Sequence, residues 1–178
     1  MQTKIINPNH IKANQIEETV TRVKAFIFNG EYIFLDKIDW GYMLPGGHVE
    51  DGEDFDLALL REVEEETGIV LDSTDKITKF YQTEKYRVNE RTGKNRLNRI
   101  VYYMVLTTKT PNINGINLTD NEREHDLKVI KVHKDEFENT LNEAIKAGVN
   151  ESFVVIAKEM LEAYNILKQE TIKTTLKD

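Results

Sequence analysis

The chain has 178 residues, 39% hydrophobic and 31% charged, which suits one globular domain with a real core, two at most. Its net charge of −7 argues against a protein that coats DNA, which carries a basic footprint. With no cysteine in the chain, disulfides, thiolate metal sites, iron–sulfur clusters and thiol nucleophiles are excluded.

Residues 1–20 are polar and read as irregular or edge structure, with no apolar leader of the signal-peptide kind. Val20 to Phe28 is apolar and β-favouring, and Glu31 to Leu35 follows after Asn29-Gly30. Asn-Gly between two such runs predicts a hairpin whose two turn residues take positive φ. Trp40 to Leu44 is a short apolar run, Pro45-Gly46-Gly47 breaks regular structure, and Val49 suits a short strand. From Asp54 the spacing turns helical, with Phe55, Leu59 and Val63 on one stripe and Gly68 as the stop. Ile69-Val70-Leu71 reads as the start of the next extended stretch. Ile77 to Arg87 and Leu97 to Lys109 read as strands, as does Asp126 to Val132. Phe137, Leu141, Ala144 and Ile145 mark one helix, stopped at Gly148. Asn150 caps a second, along Phe153, Ile156, Ala157, Met160, Leu161, Tyr164 and Leu167. The end, from Thr171, reads as a frayed tail. The order of elements predicts an α+β fold: a main unit over residues 1–134 and C-terminal helices over 135–170 packed on it. The apolar run 100–106 is too short to span a bilayer, which takes about 18 residues, so the cytoplasm is the expected address and no membrane partner is expected.

Charge is distributed in two opposed segments. Residues 50–66 hold nine acids against the single base Arg61. Residues 84–99 hold Lys85, Arg87, Arg91, Lys94, Arg96 and Arg99 against Glu84 and Glu90. An acidic segment and a basic one in a small domain suggest a metal site beside a polyanion site.

Glu62, Glu65 and Glu66 stand at i, i+3 and i+4, within about 100° of one helix face. That face borders the apolar stripe, while Glu64 points away to solvent. Taken alone, this pattern also fits a solvated Glu-rich helix. Like charges set against a core repel one another and resist ionisation. A divalent cation with hard oxygen ligands, Mg²⁺ or Mn²⁺, relieves both costs. Arg61, beside Glu65, can tie the preceding glycine loop to the helix.

Gly47, five residues, Glu53, seven residues, then Arg61-Glu62-Val63-Glu64-Glu65-Glu66-Thr67-Gly68-Ile69 resembles the Nudix box, G-x5-E-x7-R-E-U-x-E-E-x-G-U. All nine specified positions match over residues 47–69. Leu44-Pro45-Gly46 before it also resembles the family. The resemblance implies a mixed β-sheet sandwiched between helices. It implies hydrolysis of a nucleoside diphosphate linked to another moiety, with Mg²⁺ held at Glu62, Glu65 and Glu66 and a carbonyl at Gly46. It implies that Arg61 and Glu53 pair and orient the helix. Glu65 or Glu66 can serve as general base, or a later loop carboxylate, Glu122 or Glu124.

The box sets the reaction and leaves the second moiety open. Tyr86 lies where a tyrosine resembles a mark of diadenosine polyphosphate hydrolases. The proline of many ADP-ribose members is missing. The basic hairpin can hold further phosphates, through Arg87, Arg96 and Arg99. Trp40, Tyr42 and Tyr103 can stack a base or fill the core. His48 and His125 have no evident partner. The expected substrate is a nucleoside triphosphate or dinucleoside polyphosphate, with ADP-ribose-type hydrolysis as an alternative. A non-catalytic nucleotide sensor is a second reading, but such domains usually carry damaged boxes or a DNA-binding appendage. An isopentenyl diphosphate isomerase, which shares the fold, relies on a cysteine this chain lacks. No DNA partner is expected, and a homodimer is open.

Overall fold

The computed structural model describes residues 1–148 and 150–175. Seven strands form one mixed sheet: β1 (Gln2–Ile6), β2 (Glu18–Asn29), β3 (Tyr32–Ile38), β4 (Gly41–Met43), β5 (Lys76–Val88), β6 (Asn95–Leu106) and β7 (Lys128–His133). The order across the sheet is β1-β5-β6-β2-β3-β4, with β7 paired to β3. β1 runs parallel to β5, and β2 parallel to β6, while β5 and β6 form a long antiparallel hairpin. Among the described residues four α-helices complete the fold: α1 (Phe55–Thr67), α2 (Asp120–Glu124), α3 (Phe137–Ala147) and α4 (Glu151–Thr175).

Alternation along the strands gives the sheet two apolar faces, because successive side chains point to opposite sides. Val23, Ala25, Ile27, Val101, Tyr103 and Val105 meet Ala58, Leu59 and Val63 of α1. Phe26, Leu35 and Tyr102 meet Phe137 and Leu141 of α3 and Phe153, Ala157, Met160, Tyr164 and Leu167 of α4. The sheet is thus sandwiched between helices, an α+β arrangement with a long C-terminal helix. Between Lys79 and Tyr81 the β5–β6 register slips. The bulge lets the adjacent Phe80 and Tyr81 both enter the α4-side core.

The local signals at α1 act as their chemistry requires. Asp54 caps the first turn by accepting from the Asp56 amide at 2.7 Å, and Gly68 ends the helix at φ 66°. Asn150 likewise accepts from Ser152 N at 2.8 Å as α4 begins.

Some expectations are revised. The β2–β3 hairpin turns one residue later than expected: Asn29 pairs with Tyr32, and the loop is Gly30-Glu31. Only Gly30 takes positive φ there, so Asn29 keeps its place in the ladder. Ile69-Val70-Leu71 is irregular rather than strand; Ile69 and Leu71 simply close the α1-side core. Residues 120–124, expected as loop, form the short helix α2. The polar start contributes β1 as a sheet edge. Of the tail expected to fray, residues 171–175 continue α4, and 176–178 lie outside the described residues.

On the far edge, Glu162 of α4 accepts from Lys4 Nζ at 2.6 Å and from the Tyr81 hydroxyl at 3.0 Å. Its neighbour Glu159 is half-buried, and burial holds its carboxyl above the usual range; Lys85 and Lys4 oppose that rise and Glu162 adds to it. Among the described residues no helix is long and apolar enough to cross a membrane.

Candidate active site

The loop 45–49 lies against β2 as an irregular strand. Ala25 N donates to Pro45 O at 2.9 Å, Val23 N to Gly47 O at 3.0 Å, and Val49 N to Thr21 O at 3.0 Å. This fixes the loop over the carboxylate end of α1. Gly46 sits at φ +124°, and a Cβ there would strike the Val23 carbonyl, so the turn admits no side chain. At Gly47 a Cβ would occupy the place of the Glu62 carboxylate. Glycine is what lets Glu62 approach the loop backbone.

Glu62 and Glu66 are buried, at 7% and 3% exposure, while Glu65 is half-buried and Glu64 exposed. The helix face read from spacing is therefore the face the fold turns inward. Glu66 accepts from the Gly46 amide at 2.5 Å. Burial pushes the Glu66 carboxyl well above its usual range, and the neighbouring Asp36 pushes it further. Burial also raises Glu62, against the pull of Arg61.

Arg61 connects the parts. Its guanidinium donates to both oxygens of Glu53 at 2.9 Å, to the His48 carbonyl at 2.9 Å, to Glu62 at 2.8 Å and to Glu65 at 3.0 Å. Glu53 in turn accepts from the Glu50 amide at 2.9 Å. The hydrogen bond from Arg61 holds the Glu53 carboxyl below its usual range. One planar fork thus joins the loop, its exit and two helix carboxylates.

Two site residues escape sequence reading. Asp36, on β3, is fully buried, and neither of its oxygens meets a donor. Burial lifts its pKa to about 7, with Lys24 opposing and Glu122 adding to the rise. Its neighbour Glu66 can bond to it only when one of the two carboxyls is protonated. Lys24, on β2, donates to the Leu44 carbonyl at 2.8 Å and to the Gly46 carbonyl. The signal available in the sequence was a charge inside an apolar strand run: Val23-Lys24-Ala25 and Leu35-Asp36-Lys37.

The donor chemistry suits a hard divalent cation. Buried carboxylates at Glu62 and Glu66 and the orphaned Asp36 oxygens leave negative charge that a cation would neutralise. The arrangement is closed by the protein's own cations, Arg61 on Glu62 and Glu65 and Lys24 on Gly46. Among the described residues no three acidic or histidine side chains already converge as a metal-binding group.

The expected substrate residues divide between the two sheet faces. Arg96 lies opposite Arg87 across the hairpin, and Arg99 opposite Glu84. Residues 87 and 96 share the α4-side face; 86 and 99, displaced by an odd number of positions, share the α1-side face. Arg99 is bound to Glu84 at 3.0 Å, and the Tyr86 hydroxyl reaches the same carboxylate at 3.5 Å. Arg96 is bound to Glu18 at 2.7 Å. The hairpin is therefore not a single basic surface. Glu122 is half-buried and electrostatically coupled to Asp36, whereas Glu124 is exposed. Tyr103 belongs to the α1-side core and donates to Asp56 at 2.6 Å. Tyr42 packs edge-on to Phe153, and Trp40 edge-on to His125, which also contacts Asp39.

A strand-paired glycine loop above a carboxylate helix, on a sandwiched mixed sheet, defines a site architecture with a known family. A family model for the NUDIX domain matches residues 19–147, and the chain belongs to that family. Among solved structures, a MutT protein from a study of Aliivibrio salmonicida and Vibrio cholerae is similar at 24% identity, covering 68% of this chain and 86% of that one, with TM-score 0.43. The MutT Nudix hydrolase of Burkholderia pseudomallei is similar at 24% identity, covering 58% and 78%, with TM-score 0.43. A MutT protein of Bacillus halodurans is similar at 17% identity, covering 68% and 72%, with TM-score 0.47. No curated protein matches the chain.

Proposed function

We propose that this chain is a Mg²⁺-dependent hydrolase, with Mn²⁺ able to substitute, that cleaves a phosphoanhydride bond in a nucleoside diphosphate joined to another group. The observation that carries the reading is the burial of Glu62 and Glu66 against Gly46 and Gly47, with Arg61 holding the assembly. Burying carboxylates carries a desolvation cost, and a bound cation offsets it.

Glu62, Glu65, Glu66 and the Gly46 carbonyl are the groups that would hold the ion, once Arg61 and Lys24 yield their contacts. A bound divalent ion supplies charge neutralisation for phosphoryl oxygens and lowers the pKa of a water. Arg61 and Glu53 orient the helix against the loop. Glu122, half-buried and coupled to Asp36, is the better placed of the two later carboxylates to accept the proton of the attacking water; Glu124 is exposed. Arg87 and Arg96 lie on the sheet face shared with Lys24, and the charge of Arg87, which no carboxylate partners among the described residues, favours substrates with longer phosphate chains. Nucleoside triphosphates or dinucleoside polyphosphates are thus preferred over ADP-ribose, in the cytoplasm, where such nucleotides are found.

A substrate panel with Mg²⁺, Mn²⁺ or EDTA tests the reading. Phosphate, pyrophosphate or nucleoside monophosphate release that requires metal is expected, fastest for polyphosphates. Their kcat/KM is expected to fall more steeply with salt than that of ADP-ribose. If the protein binds nucleotides but hydrolyses none with either metal, it is a nucleotide sensor.

A further inference from the structure

Arg22 lies on β2 and forms a bridge with His48 of the glycine loop. Lys24, two residues on, shares its face and binds the loop carbonyls. Both belong to the face that carries Phe26 into the α4-side core, so Arg22 stands beside the carboxylate site and just outside that core. It is half-buried. Among the described residues no carboxylate or carbonyl accepts a hydrogen bond from its guanidinium. Its charged neighbours are Arg87 and Arg96, and desolvation together with these like charges holds its pKa below the usual range.

Three other arginines near the site are neutralised. Arg61 has Glu53, Arg96 has Glu18 and Arg99 has Glu84. Glu18 also accepts from Asn89 and Thr92, so it is fully engaged away from Arg22. Arg22 and Lys24 also act on the His48 imidazole, which desolvation first, and these two charges next, hold below its usual range. Positive potential is therefore concentrated on this side of the loop. A partly desolvated guanidinium among like charges is unfavourable unless an anion joins it, and a guanidinium matches phosphate oxygens in a planar, two-pronged geometry.

We propose that Arg22 is the anion ligand of this site: its guanidinium, with Arg87 behind it, takes phosphate oxygens of the substrate on the α4-side face, and Arg99 on the opposite face takes none. The assignment rests on the phosphoanhydride reading above and narrows it, since it places the phosphate chain between the loop and the hairpin.

The test uses the full chain with inorganic tripolyphosphate in EDTA, so that binding is read without turnover. Wild type is expected to bind by calorimetry and to melt at a higher temperature with the probe present. Arg22→Met is expected to weaken binding at least 10-fold, Arg22→Lys less, and Arg99→Met under 2-fold. Without anion, Arg22→Met should melt no lower than wild type, because it removes an unpaired charge and keeps the aliphatic stem. The assignment is overturned if wild type does not bind the probe, if Arg22→Met and Arg22→Lys bind as wild type does, if Arg99→Met loses as much, or if Arg22→Met is destabilised without anion. Nucleotide hydrolysis by wild type with unchanged binding in Arg22→Met would remove the anion assignment and leave the hydrolase reading. Arg22-dependent binding without hydrolysis of any nucleotide would do the reverse.

Discussion

The guanidinium of Arg61 meets the carboxylate of Glu53 edge to edge, Nε to Oε1 and Nη2 to Oε2, each at 2.9 Å. A lysine keeps the charge but cannot serve Glu53, the His48 carbonyl, Glu62 and Glu65 together. Arg61→Lys is expected to lower turnover roughly 10- to 100-fold, the range for a misaligned site, with metal affinity only modestly reduced. Steady-state kinetics over a Mg²⁺ titration check this; unchanged kinetics would make Arg61 an ordinary surface charge.

Glu66→Gln keeps an oxygen for the Gly46 amide and removes a charge facing Asp36. The expected result is a fall in kcat of roughly 100-fold or more, and Glu65→Gln should also lose turnover. Metal-free Glu66→Gln should melt no lower than wild type, since like-charge repulsion is relieved. Full activity in both variants would refute the ligand assignment, and a large loss of melting temperature would assign Glu66 a structural role.

Gly47→Ala places a methyl group where the Glu62 carboxylate lies. The fold is expected to survive, at a cost of about 1–3 kcal/mol for overpacking, while turnover is nearly lost. Circular dichroism, thermal melting and activity together decide it. Near-wild-type turnover would mean that Glu62 can work from another position.

Glu159 provides the pH test. Its folded pKa is raised above its ordinary value, first by burial, so the folded state binds the proton more tightly than the unfolded one. The stability this contributes is present at low pH and is lost as pH rises through the folded pKa. Glu159→Gln mimics the protonated form throughout. Its melting temperature should match wild type near pH 4 and exceed it at pH 8, the gap opening as pH rises through the folded pKa. A constant difference at all pH values would place the effect in packing.

The helix with its carboxylates was legible because it depends on spacing. A 3.6-residue period, Asp54 at one end and Gly68 at the other specify which glutamates turn inward, and α1 places them so. Lys24 and Asp36 were hidden because strand pairing, which is non-local, brings them to the loop and to Glu66. The hairpin arginines were misgrouped although the means to separate them were present. Residues 96 and 99 differ by an odd number, and a strand sends such positions to opposite faces. The short helix α2 carries no apolar stripe, so its polar sequence reads as loop.

The glycine loop shares its backbone hydrogen bonds with the middle of β2, through Val23, Ala25 and Thr21. That pairing separates two kinds of change the chain can tolerate. Replacements of exposed side chains on the β5–β6 hairpin leave that backbone pairing in place, whereas changes within β2 act on it directly. For engineering, the molecule offers a fixed anvil: side-chain changes are better tried first outside it, and substitutions in Thr21 to Ala25 should be made last.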